Sequence, residues 1–494
     1  MGCPEWPRRV KISDMSRFLF CLLGLFGLCG CCLTNSSEPA RLSLVPLPQE
    51  VVWGAGRCPA ALPETVVRDA SVRPEGYVLE IDGSKGVLIR HADDAGLFYA
   101  RTTLRQLRQG DAYPEVRISD WPEFPFRSVL IDDARLCYGK AGLKKIIDQM
   151  SEVKLNVLHW HFIEPQAWRL EIPVYPELTA KLSAGERYSA ADVKEILDYA
   201  AARHVRVMPE IEMPGHNAVT RFYPEMGCEG CKRSGVCPSN PKTIAFYKAA
   251  LDETCQLFPN EEIHFGGDEV SYANWKKCPR CQAKMKELGL GNEADLQAWF
   301  MGVMAAHLKA KGRTPVGWSD MLLTLTDGMH QNEKGYWTGY GIRRNLSKDI
   351  VINAWYGDWE CAGGCGAVAA NLGYKVIQYP SNHCYFDHAQ GLQGDKYAYS
   401  YTSVLGLREA YDFDPRSDVR PDCRANVVGV GCANWSEKAT DLAALEFKLW
   451  PRGFGTAEVG WTGPDRRNYA DFAPRAKALA EIFRQRGINA ATYE

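Results

Sequence analysis

Gly266-Gly267-Asp268-Glu269 sets two carboxylates side by side directly after two glycines. Acids held that close do not ionise independently, so one keeps its proton to a higher pH than an isolated carboxyl. A carboxyl still protonated near neutrality can act as a general acid, and its ionised neighbour can stabilise positive charge. A bare Asp-Glu dipeptide is most often just an exposed polar pair. The glycines change that reading, because they let the backbone turn sharply and approach a ligand closely. Glu262-Ile263-His264-Phe265, immediately before, reads as a short strand, which puts the pair at a strand end.

Acids and aromatics recur in the same setting along the chain. Apolar strand candidates begin near Ser128, Leu155, Val205, Glu262, Thr314, Ile350, Tyr374 and Asn426. Behind them lie Asp132 and Arg135, His161 and Glu164, Glu210 and His216, then Trp318 and Asp320. Trp355 and Asp358, Tyr385 and Asp387, and Trp435 and Glu437 follow. Ordinary surface loops are richer in Lys, Ser and Asn. A carboxylate-lined pocket walled by Trp suits a neutral polyhydroxylated ligand such as a sugar, whose C–H faces stack on flat rings.

Such residues converge only if the intervening elements bring the strand ends together. Leu143, Ile146, Ile147, Met150 and Val153 make one helical apolar face, and Val193, Ile196, Leu197 and Ala200 another. Pro241 fits the first position of a third helix, capped by Ser239 or Asn240. A last helix is expected over 474–486. Eight strands alternating with helices point to a (β/α)8 TIM barrel over 125–494, with its site at the strands' C-terminal ends. Open doubly wound sheets share the alternation. Residues 40–120 read as a small N-terminal α/β domain, with strands around Asp82-Gly83 and a helix carrying Leu97, Ala100, Leu104 and Leu107.

The net charge of −2 gives no basic footprint for nucleic acid. Residues 1–32 read as an export leader: Arg8, Arg9, Lys11 and Arg17 precede an apolar run from Phe18 to Leu28, too short to span a bilayer. Leu28-Cys29-Gly30-Cys31 resembles a bacterial lipoprotein box with Cys31 as the lipid-bearing residue. The expected location is therefore periplasmic, cell-surface or secreted, with membrane contact only through that lipid.

His264-Phe265-Gly266-Gly267-Asp268-Glu269 resembles the signature of glycoside hydrolase family 20, the β-N-acetylhexosaminidases. Leu158-His159-Trp160-His161, Met213-Pro214-Gly215-His216, Tyr385-Phe386-Asp387 and Asn434-Trp435-Ser436-Glu437 carry the likeness along most of the chain. It implies an exo-acting enzyme that removes terminal β-linked GlcNAc or GalNAc from glycans without a catalytic cofactor. It further implies a retaining mechanism in which the substrate's acetamido oxygen attacks C1. Asp268 would hold the acetamido N–H, Glu269 would protonate the leaving oxygen, and Tyr385 would donate to the acetamido oxygen. Asp387 would support the pocket, with Trp318, Trp355 and Trp435 as its walls. Arg127 and Glu437 would bind ring hydroxyls, and His216 would sit behind Glu269. His161 and Glu164 would stand in the shell behind, where Glu164-Pro165 and Leu136 depart from the family pattern. Two rival readings are a non-catalytic sugar-binding protein on the same fold and a chitinase-like endo-enzyme.

The chain holds 18 Cys. Cys228-x-x-Cys231 with Cys237, and Cys278-x-x-Cys281, have the spacing of tetrahedral zinc half-sites. Four of these five would hold a structural zinc, and disulfides are the alternative in an exported chain.

Overall fold

Alternating side chains build the first layer. Glu50–Pro59 (β1), Glu64–Arg68 (β2), Tyr77–Asp82 (β3), Gly86–His91 (β4) and Ala112–Asp120 (β5) form one sheet in the order β1-β5-β3-β4-β2. In β3, Tyr77, Leu79 and Ile81 are buried while Val78, Glu80 and Asp82 are less so, the period-two pattern of a sheet covered on one face. Helix Asp94–Leu107 (α1) follows, its first turn capped by the Asp93 side chain accepting from Gly96 N. This computed structural model describes residues 44–492, apart from residue 184 and segments 230–234, 325–329, 332–336, 339–340, 344–345, 358–364, 392–394, 396 and 398–403. The leader with Cys31, together with Cys231 and Asp358, lies outside the described residues.

The second part is a closed barrel of eight parallel strands. They are Phe126–Asp132 (β6), Val157–His161 (β7), Arg206–Glu210 (β8), Glu262–His264 (β9), Thr314–Trp318 (β10), Val351–Ala354 (β11), Val376–Gln378 (β12) and Val427–Asn434 (β13). Every strand starts within two residues of the position expected from its apolar run. All of β6 and β7 is buried, because a parallel barrel strand packs inward on its neighbours and outward on helices.

Helices Gly139–Glu152 (α2) and Ala190–Ala201 (α3) bury the apolar faces read from the sequence, Leu197 only in part, and Pro241–Leu257 (α4) begins at the expected Pro241. Asn240, not Ser239, caps α4 by accepting from Lys242 N at 3.0 Å. Helices Pro279–Leu288 (α5), Glu293–Ala310 (α6), Arg452–Trp461 (α7) and Tyr469–Gln485 (α8) come later. The last begins before the expected Pro474: Asn468 accepts from Ala470 N at 2.9 Å and starts the helix, which carries Pro474 within it. Among the described residues no helix is long and apolar enough to cross a membrane.

Arg127 requires a correction. It was expected to bind ring hydroxyls, but it stands near the start of β6, at the end of the barrel away from the strand C-termini. Its guanidinium is fully buried and committed to protein groups: Lys154 O at 2.9 Å, Phe124 O at 2.7 Å and Glu75 Oε2 at 2.8 Å. Glu75 belongs to the β-sheet region, so Arg127 joins that layer to the barrel floor. Lys154 does the same through Asp120 Oδ2 at 2.8 Å.

Candidate active site

Glu210 ends β8 and is fully buried. Around its carboxylate lie His161 Nδ1 at 2.5 Å, His264 Nδ1 at 2.9 Å and His159 Nε2 at 3.0 Å. Trp318 Nε1 donates to it at 2.7 Å. Burial alone would keep Glu210 protonated, but the surrounding imidazoles hold it well below the usual carboxylate range. His161 continues outward, with Nε2 3.2 Å from Glu164 Oε1. Burial opposes its charge, yet Glu210 and Glu164 outweigh that and raise its pKa to about 10.

The paired acids follow β9. Gly266 and Gly267 have φ of 65° and 109°, the region glycine tolerates, and a Cβ on Gly266 would stand 2.1 Å from Glu212 Oε1. Glu269 and His216 also adopt positive φ, 47° and 42°, a conformation that stores strain in non-glycine residues. The Glu269 turn is held from outside: its N–H donates to Asp320 Oδ1 at 3.0 Å, while Asp320 Oδ2 accepts from Trp355 Nε1 at 2.7 Å.

His216 links the acids. Its Nε2 lies 3.2 Å from Glu269 Oε2 and 3.7 Å from Asp268 Oδ2, and its Nδ1 lies 3.1 Å from Glu164 Oε2. Burial disfavours the imidazolium, but Asp268, Glu164 and Glu269 more than compensate and raise its pKa. Burial raises Asp268 to about 6, against the pull of His216 and with the push of Glu269. The His216 hydrogen bond lowers Glu269. Of the pair, Asp268 is therefore the acid whose proton is held more tightly while the pocket is empty. Asp268 Oδ1 is buried with no hydrogen-bond partner among the described residues, an arrangement native proteins rarely leave unused.

Aromatic side chains enclose this space. Trp355 and Tyr385 stack at 6.0 Å and 16°, Tyr385 meets Trp435 at 6.0 Å, and Trp435 meets Trp318 at 6.2 Å. Trp318 is 1% exposed and forms the floor, whereas Trp355 and Trp435 are only partly covered. Arg135 stands beside them, its guanidinium 5.5 Å from the Trp435 ring centre. It pairs with Asp132 at 2.7 Å, Glu164 at 2.7 Å and Glu437 at 3.6 Å. Asp387 is buried, which raises its carboxyl to about 6.

Asp268, Glu269, His216, Glu164 and His161 thus form one connected network, with Trp318, Trp355, Tyr385 and Trp435 around it and Glu437 reached through Arg135. Arg127 is not among them. Arg135 takes the place expected of it, three residues beyond Asp132 at the strand's C-terminal end. Reading the residue past the strand, rather than the one opening it, would have found it. Glu210 and Asp320 stand at strand ends as the sequence indicates, but their roles, like that of Glu212, rest on distant partners that local sequence does not specify.

Known proteins match both parts of the chain. The model of the glycosyl hydrolase family 20 catalytic domain matches residues 124–464, and that of the family's domain 2 matches residues 55–121. A β-hexosaminidase of Akkermansia muciniphila is 30% identical over 83% of this chain and 82% of its own length. One from Porphyromonas gingivalis is 30% identical over 85% of this chain, which spans only 55% of that relative. The crystal structure of a β-N-acetylhexosaminidase from Bacteroides fragilis superposes with a TM-score of 0.78 at 27% identity, covering 91% of this chain and 96% of that one.

Proposed function

The chain belongs to glycosyl hydrolase family 20 and is a glycoside hydrolase of the β-hexosaminidase type; from that premise we propose that it removes terminal β-linked GlcNAc or GalNAc by substrate assistance. The observation that carries the proposal is the division of labour around His216. Asp268 is enclosed and presents an unpartnered oxygen, while Glu269 reaches outward, 59% exposed, toward the open side.

In the first step the acetamido oxygen of the substrate attacks C1 as the bond from C1 to the leaving oxygen breaks. Glu269 gives its proton to that oxygen. Asp268 accepts the acetamido N–H and offsets the positive charge of the forming oxazolinium. Tyr385 donates to the acetamido oxygen, and the Trp walls exclude water from the ring. In the second step Glu269 takes a proton from water, which adds to C1 and reopens the oxazolinium with the β configuration kept. Glu269 is held down in the empty pocket by His216. A bound sugar covers it with apolar surface and a neutral oxygen, both of which favour the protonated form. Arg135 offers a planar fork of donors to paired ring hydroxyls, with Glu437 beside it.

Turnover of nitrophenyl β-GlcNAc, with NMR of the first anomer formed, tests the reading. Release of the β anomer and inhibition by a thiazoline mimic of the intermediate are expected. Absence of turnover would favour a sugar-binding protein, and internal cutting of chito-oligomers with no terminal release an endo-enzyme. We also propose that the leader directs export and that Cys31 carries lipid, which intact mass of the membrane-extracted protein checks.

A further inference from the structure

Four sulfurs meet where two loops of the barrel mouth come together. Cys237 Sγ lies 3.9 Å from Cys278 Sγ and 3.5 Å from Cys281 Sγ. With Cys228 included, all four Sγ atoms lie within 4.8 Å of one another. These separations are too long for S–S bonds. They match a tetrahedron of sulfurs about a metal: at a Zn–S distance of about 2.3 Å, tetrahedral ligands stand about 3.8 Å apart. We infer that Cys228, Cys237, Cys278 and Cys281 hold one structural zinc that ties the loop bearing His216 to the loop bearing Glu269.

The local fold is arranged for this. An antiparallel bridge between Gly227 and Val236 sets Cys228 and Cys237 next to each other across their loop. Cys237 N donates to Met226 O at 2.8 Å, fixing the same register. On the other loop, Cys278 is the N-cap residue of α5 and Cys281 lies in its first turn, so both sulfurs stand at the positive end of a helix, where a metal-bound thiolate is favoured. Four thiolates around a dication leave net negative charge, and Lys276, Lys277 and Arg280 stand alongside in the chain. Trp275, Met285 and Leu296 close over the cluster, which is 4% exposed at Cys228 and fully buried at the other three. Trp275 is itself held by Nε1 donating to Val236 O at 3.1 Å.

The cluster sits close to the chemistry along both chains. Cys228 follows His216 by twelve residues and Cys278 follows Glu269 by nine. Those loops otherwise meet through side chains such as the His216–Glu269 contact. A metal bound to both gives a fixed distance between them without entering the pocket. A site of four protein ligands leaves no open position for substrate, so the role is structural. The assignment does not depend on the hydrolase reading.

Full-length protein purified without chelator is the material for the test. Elemental analysis should find about one zinc per chain. Titration with a thiol-blocking mercurial, followed by a zinc-sensitive dye, should release that zinc only after the more accessible thiols, such as Cys137 and Cys255, have reacted. A paired Cys237→Ser, Cys281→Ser variant should retain less than a tenth of the metal, and Cys137→Ser should retain all of it. Hydrogen exchange should rise over residues 219–229 and 270–278 when the zinc is stripped from the wild type. Substoichiometric zinc in the wild type, zinc kept by the paired variant, or disulfides among these four in a peptide map would overturn the site. Unchanged exchange in the stripped protein would overturn the tie between the loops. A metal-loaded protein without glycosidase activity would count against the reaction alone.

Discussion

Glu164 Oε2 lies 3.1 Å from His216 Nδ1, and the opposite nitrogen of the same ring lies 3.2 Å from Glu269 Oε2. The imidazolium is therefore a charged bridge between an inner anchor and the outer acid. Glu164 supports it despite Pro165 standing where the family pattern has a second acid. Burial, outweighed by hydrogen bonds from His161 and His216, leaves Glu164 at about 2 and ionised near neutral pH.

Replacing His216 with Asn removes the bridge's charge. The hydrogen bond of His216 lowers Glu269, and its charge opposes the rise that burial imposes on Asp268. Both carboxyls should then titrate at higher pH. In kcat, which reports the sugar-bound enzyme, the acid limb, where Asp268 ionises, and the alkaline limb, where Glu269 loses its proton, should both move upward. Activity at the wild-type optimum should fall by about 100-fold, the scale of a misplaced general acid. Limbs that stay in place would show that His216 sets neither group.

The two arginines should differ in binding: only one of them faces the mouth. Arg127→Met should cost about 3–5 kcal/mol of stability, because it leaves Glu75 without its buried partner. The protein that remains folded should keep its KM. Arg135→Met also strands buried carboxylates, Asp132 and Glu164, and so should destabilise too, but the folded protein should in addition show a raised KM and kcat/KM lowered by about 100-fold, as loss of charge-assisted hydrogen bonds to substrate predicts. Steady-state kinetics on the folded variants distinguishes these outcomes, and a raised KM for the Arg127 variant would place Arg127, not Arg135, at the sugar.

Gly266→Ala should abolish activity. The residue has φ of 65°, and the new methyl group would stand 2.1 Å from a carboxylate oxygen of Glu212. Relief requires moving Glu212 or the turn that aims Asp268, at a cost of about 1–3 kcal/mol for the backbone alone. A crystal structure of the variant with an unmoved Asp268, or wild-type turnover, would contradict this.

Stability should depend on pH in two opposite ways near the site. His161 has a pKa raised from 6.5 to about 10, so its contribution is full below 6.5 and is lost as pH climbs toward 10. Glu164 is lowered from 4.5 to about 2, so its contribution is present above 4.5 and is lost as pH falls toward 2. Melting temperature measured from pH 6.5 to 10 should decline, and the decline should be shallower in His161→Gln. A parallel decline in that variant would mean that His161 is not the group involved.

Much of this was legible along the chain because barrels are periodic. Each strand is a short apolar run followed by a helix with a clear face, and the strand starts were readable to within two residues. Gly-Gly before Asp268-Glu269 has only a few backbone uses, one of which is a turn at a ligand. Helix ends were less legible. Pro474 marks a plausible first residue, but the Asn468 cap wins because a side-chain oxygen that satisfies Ala470 N outweighs the bond Pro474 cannot make.

By itself the sequence determined the alternation of eight strands with helices, the strand ends, the acid pair and the aromatics past the strands, because these follow from local periodicity and residue type; that the sheet closes into a barrel is a tertiary fact. Only the tertiary structure decided which arginine faces the mouth. Arg127 and Arg135 are eight residues apart, and an extended chain rising about 3.3 Å per residue carries them to opposite ends of the barrel. Closure of the barrel likewise chose Glu210 as the hub of three histidines and Trp318, and brought Cys228 and Cys237 to Cys278 and Cys281. These partners lie up to about a hundred residues apart, and nothing local to any one of them specifies the other.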